Sequence, residues 1–256
     1  MAAWLAGLLA LLWAPAGFAE SALRLPTPDA FGSIPADTYD ESGLRVGDAL
    51  VRIEEQPDGL VELEARSGIE GAERTIVTAR LDRPDGTETL RPLSQSSRSF
   101  DAGGNPLGVL TVDHVRGVVV CMPPSGEAER IELPPGDRVA NVPLNLLFVP
   151  LVRGEAQEID FQFVLCRGGA RVLDATAHVA GRQTRGDEEV VEIRYSLDLG
   201  PLLSRLAAPF LPRLSVWLEG NRAASWVGHR MPLFSQGPTV VVMRSGVVPS
   251  SFGLTP

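Results

Sequence analysis

The stretch at residues 141–154, NVPLNLLFVPLVRG, constrains the fold more than any other part of this chain. Only Asn145 interrupts its apolar run. Asn141 is placed to cap a helix by accepting from an unpaired N–H of the first turn. Pro143 is tolerated early in a helix, whereas Pro150 lacks the donor N–H and crowds the preceding turn. The expectation is a helix of about two turns that ends near Pro150. Such a segment is apolar nearly all round and must be covered on every side. It is also too short to span a bilayer, which takes about 20 apolar residues.

The flanks read as strands. Ala49, Val51 and Ile53 alternate with polar neighbours, Pro57-Asp58-Gly59 turns the chain, and Val61, Leu63 and Ala65 continue the inward face. Glu54, Glu62 and Glu64 lie opposite with Glu55 close by, and no calcium-loop spacing or His accompanies them, so they read as a solvated sheet face. Thr75, Val77, Ala79 and Leu81 make the next strand. The Ser-rich segment 90–100 has the look of an edge strand, and 110–122 that of one long strand bent at Gly117. After the apolar stretch the pattern resumes. Ile159, Phe161, Phe163 and Leu165 alternate, as do Leu173 to Val179 and Val191 to Leu199. Gly200-Pro201 opens a second short helix at 202–208, and three strands close the domain.

The expected fold is therefore mainly β. It is a strongly curved antiparallel meander forming an open or nearly closed barrel, with two short helices. Residues 1–19 read as a signal peptide: an apolar core from Trp4 to Trp13, then Gly17 and Ala19 at the −3 and −1 positions of a cleavage site. No Lys or Arg precedes that core. Residues 20–40, with Pro26, Pro28 and Pro35, read as an extended linker, 41–245 as one β domain, and 246–256 as a tail. The expected location is the periplasm or exterior, after cleavage near Ala19, with no transmembrane anchor left.

Charge and motif spacing exclude several functions. The net charge is −9, unfavourable for nucleic acid. Every basic side chain other than His is Arg, which rules out Schiff-base and Ser-Lys chemistry. Asp113 and His114 adjoin on a strand and point to opposite faces, while Asp174 and His178 lie roughly 13 Å apart along one. His229, near Trp226, has no local acid partner. No metal-ligand spacing, nucleophile elbow or phosphate loop is present, so no cofactor, metal or catalytic residue is assigned. Cys121 and Cys166 can pair in an exported chain, tying the strands on either side of the helix. Two buried thiols are the alternative.

The order of strands, Pro-flanked apolar helix, Gly154, the strand ending Phe163-Val164-Leu165-Cys166-Arg167, and the late Val216-Trp217-Leu218 hairpin resembles an uncharacterised family of exported bacterial envelope proteins. That family's sheet is similar to the open barrel of the lipoprotein carriers LolA and LolB. The resemblance spans about 48–244 and implies an apolar groove between sheet and helix, taking a lipid or lipoprotein. Leu146, Leu147, Phe148, Phe161 and Phe163 are the expected groove residues. The alternative is a structural or partner-binding envelope protein with a dry core, and an enzyme ranks below both.

Overall fold

The computed structural model describes residues 21–84, 87–124, 126–166, 169–185, 187–200 and 213–249. The expected signal peptide and the second helix at 202–208 lie outside them, as does most of the tail. The chain runs β1 (Leu25–Pro26), β2 (Gly32–Tyr39), β3 (Arg45–Glu55), β4 (Val61–Gly68), β5 (Arg74–Asp82), β6 (Thr89–Phe100), β7 (Pro106–Asp113), β8 (Val118–Met122) and β9 (Glu129–Glu132). Two helical turns follow, α1 (Leu144–Leu147) and α2 (Val149–Val152). The chain then returns to strand as β10 (Glu158–Cys166), β11 (Ala170–Arg185), β12 (Glu188–Leu197), β13 (Leu214–Glu219), β14 (Trp226–Pro232) and β15 (Thr239–Arg244).

Among the described residues these strands form one antiparallel sheet in the order β10 to β15, then β2 to β9, with β1 added at the end of β6. Every neighbour along that path is consecutive in sequence except β15 and β2. So many twisted strands cannot stay flat, and the sheet curls on itself without closing. Its two ends, β9 and β10, are joined in sequence by the apolar stretch, which the curl encloses. Phe148, Leu151 and Phe161 are fully buried there, with inward residues of β3, β4, β12, β13 and β15 around them.

Several expectations are corrected. Residues 32–39 are not a linker but a central strand, β2, hydrogen-bonded to β3 and β15. Pro35 is tolerated because its carbonyl accepts the Ser245 N–H just past the end of β15, so its missing N–H faces the point where that ladder stops. The Ser-rich strand β6 is interior, flanked by β5 and β7. Two of its hydroxyls bond across the ladder, Ser99 with Thr75 at 2.9 Å and Ser96 with Thr78 at 2.8 Å. Residues 110–122 form a hairpin, β7 and β8, turned at 114–117 with Gly117 at φ 62°. The helix does not stop at Pro150. It breaks at Phe148 and restarts with Pro150 in the first turn of α2, where no N–H is needed.

The acidic outer face carries paired charges. Glu54 meets Arg52 at 2.5 Å, Glu64 meets Arg66 at 2.7 Å, Glu62 meets Arg80 at 3.2 Å and Glu55 meets Arg83 at 3.1 Å. Such exposed pairs add little stability.

Candidate functional site

Residues 137–142 form a strap that ties β10, one end of the sheet, to β6. On one side Ala140 N–H donates to the Gln162 carbonyl and Gln162 N–H to the Arg138 carbonyl, both at 2.8 Å. This makes a parallel bridge to β10. Asn141, expected to cap the helix, bonds β10 instead: its Nδ2 donates to the Val164 carbonyl at 2.8 Å and its Oδ1 accepts the Val164 N–H at 2.9 Å. A strand edge with two unpaired backbone groups uses the carboxamide more fully than a helix end would.

On the other side the strap is held by Gln95, a β6 residue 2 % exposed. Its Oε1 accepts the N–H groups of Asn141 and Val142, each at 2.8 Å. Its Nε2 donates to the Val139 carbonyl at 2.8 Å and to His114 Nε2 at 2.7 Å. With the carboxamide oriented by its two accepted N–H groups, His114 Nε2 acts as acceptor and Nδ1–H donates to Asp137 at 3.0 Å. Asp137 also accepts the Val139 N–H, and its carbonyl takes Ser21 Oγ–H and Ala22 N–H. Both ring nitrogens are engaged and the pair is sealed from solvent. This His–Asp pair positions the strap and does not face a cleft.

A disulfide between Cys121 on β8 and Cys166 on β10, with Cα atoms 5.6 Å apart, completes the seam. Leu110, Val112, Val119, Leu133, Val139 and Val164 pack around it.

Past the strap the curl leaves a cleft of about 120 Å³, partly open to solvent. Asn141 to Asn145 form its floor. One wall is Val51, Leu63, Ala65 and Val77 from β3, β4 and β5, and the other is Val216, Trp226, Met231, Val240 and Val242 from β13, β14 and β15. Ser67, Thr75 and His229 add polar groups. The His229 ring lies 5.6 Å from that of Trp226, and burial pushes its imidazole down to about 4.

The five residues expected to line a groove lie elsewhere. Leu146, Leu147, Phe148 and Phe161 are buried in the core. Phe148 meets Phe161 edge-on at 5.7 Å, and Tyr195 packs 5.8 Å from Phe148, 5.9 Å from Phe161 and 6.4 Å from the partly buried Phe163. Burial drives the Tyr195 phenol well above its usual range. None of the five lines the cleft. The cleft residues missed by sequence reasoning carry two weak signals, Asn145 interrupting an apolar run and His229 on an inward strand position beside Trp226.

Among the described residues no cluster of three or more His, Cys, Asp or Glu side chains could hold a metal. Nor, among them, is any helix long and apolar enough to cross a membrane.

The molecule is thus a curled, open antiparallel sheet clasped by a strap and a disulfide around a buried helical segment. No protein-family model matches the chain, and no curated protein matches it. Among solved structures it is similar to a β-barrel-like protein of the domain of unknown function DUF1849 from Brucella abortus. That likeness has 12 % identity over 84 % of this chain and 97 % of that one, with a TM-score of 0.46.

Proposed function

We propose that this chain is an exported envelope protein that holds the apolar part of a lipid or lipidated partner in the cleft between β3–β5 and β13–β15. The observation that carries the reading is the cleft itself: a concave, mostly hydrocarbon surface with a few polar groups, the usual make-up of a ligand site. Its small volume fits a chain end or one bulky group, with the remainder outside. Leu146, Leu147, Phe148, Phe161 and Phe163 belong to the hydrophobic core and not to the cleft lining. Export is supported by the apolar segment ending Gly17-Phe18-Ala19 and by the seam disulfide, a bond that persists in oxidising compartments. A carrier of the LolA and LolB kind is one form such a protein takes. The non-catalytic reading is supported by the engagement of both His114 nitrogens and by the lack of a carboxylate partner for His229 among the described residues.

The second reading, a structural envelope protein with a dry core, draws on the sealed cluster of Phe148, Phe161 and Tyr195. Native mass spectrometry of the oxidised protein recovered from the periplasm, followed by solvent extraction, separates the two. The binding reading expects a co-purifying apolar species. Met231→Trp, which fills the cleft from a partly buried position, should remove that species with little change in melting temperature. A wild-type protein that never carries an apolar molecule, and takes none up when offered, favours the dry core.

A further inference from the structure

The cleft is apolar, but its polar groups are of one kind. Ser67 on β4, Asn145 in α1 and His229 on β14 come from three different elements and line the same space. Among the described residues none of these three side chains donates or accepts a hydrogen bond, although other polar side chains nearby, such as Asn141 and the Thr75–Ser99 pair, are bonded. None of their polar atoms is both buried and unpaired, so they reach water through the open side of the cleft, and a ligand that displaces that water has to replace its hydrogen bonds.

One charged residue, Arg66, shares the lining with them. Its side chain is 58 % exposed and its guanidinium pairs with Glu64 at 2.7 Å. Arg230, next to His229, is drawn to Glu41 at 2.6 Å. His229 itself is neutral at physiological pH, its imidazole pushed down to about 4 by burial.

We propose that the cleft takes the uncharged hydrogen-bonding end of an apolar ligand, an ester or amide carbonyl on a short hydrocarbon, and turns away carboxylates and amines of the same length. This rests on the ligand-binding reading above. An entering carboxylate leaves its hydration shell and meets no cation but Arg66, which Glu64 already holds, whereas a carbonyl gives up weaker water contacts and regains a bond from the Asn145 carboxamide. The space is slightly smaller than the cavity of about 150 Å³ known to hold benzene, so the group taken up has about five or six carbons.

The test uses the oxidised protein, labelled with nitrogen-15, at pH 7.5. Methyl hexanoate, sodium hexanoate and hexylamine are titrated separately, and the Asn145 side-chain amide and Trp226 indole resonances are followed. The expected result is that methyl hexanoate moves both resonances with a Kd at least tenfold below that of either charged compound. Asn145→Leu, the same branched heavy-atom skeleton without donor or acceptor, should erase that preference, and Ser67→Ala on the facing wall should reduce it. Hexanoate binding as tightly as its ester, or a preference untouched in both variants, overturns this inference and leaves the apolar-cleft reading standing. A folded protein that binds none of the three overturns both.

Discussion

Gln95 makes four hydrogen bonds from one carboxamide, two accepted from backbone N–H groups and two donated, to a carbonyl and an imidazole. No other neutral side chain of that length can do all four. Gln95→Leu puts an apolar side chain in the site and strands every partner there, at about 1–3 kcal/mol for each orphaned group. Urea unfolding should therefore show a loss of at least about 3 kcal/mol. A loss below about 1 kcal/mol would mean that the strap is held by its β10 contacts alone. His229 gives the second prediction at this scale. Its folded-state value of about 4 lies below the ordinary 6.5, so the unfolded chain binds more protons between those two pH values. Its contribution is complete above pH 6.5 and is lost as pH falls toward 4. The shift corresponds to at most about 3 kcal/mol, reduced to about 1–2 by the partial exposure of the ring at the cleft. Melting temperatures of wild type and His229→Gln across that window check it: the variant should lose less stability on acidification. In the sequence Gln95 lies within a run of serines and His229 beside Arg230. Nothing local marks one as a clasp and the other as a cleft wall, because their partners lie on other strands.

The helical segment and its strap act as one element. The sequence foretold an apolar, Pro-flanked piece needing cover on all sides, and the curl supplies that cover. It foretold the wrong job for Asn141, since a cap and a strand clasp call for the same donor and acceptor and local sequence cannot choose between them. Phe148 sits where α1 passes into α2, with no exposure and two aromatic neighbours within 6 Å. Phe148→Ala should cost about 3–5 kcal/mol, since the surrounding sheet can collapse only partly onto the space left. Denaturant melts of the oxidised protein measure this. A cost near 1 kcal/mol would show that the core repacks freely and that the helix is loosely held. Strand β2 teaches the complementary lesson. Three prolines made its region read as a linker, yet a proline whose N–H side faces the end of a neighbouring strand costs the ladder nothing.

For the whole molecule the decisive feature is how an open sheet secures two ends that are neighbours in sequence. The seam disulfide closes a loop of 45 residues, worth about 4 kcal/mol of unfolded-state entropy in the chain-entropy model. Replacing both Cys121 and Cys166 with Ser should lower stability by about that much. Hydrogen exchange should rise first in residues 137–142 and at the β10 edge, because those bonds share the seam. Uniform exchange across the sheet would show that strap and disulfide stabilise independently. The alternation of apolar and polar residues in β3, β5, β10 and β12, the turns at Gly and Pro, and the all-round apolarity of residues 144–152 were decided locally. They made a curved antiparallel sheet around a greasy segment legible from sequence alone, because period and turn chemistry are properties of neighbouring residues. The pairing of β15 with β2, the seam, the Gln95 network and the position of the cleft were decided only by the tertiary structure. Each joins residues far apart in the chain, and which inward positions are filled and which left open depends on how the whole sheet curls.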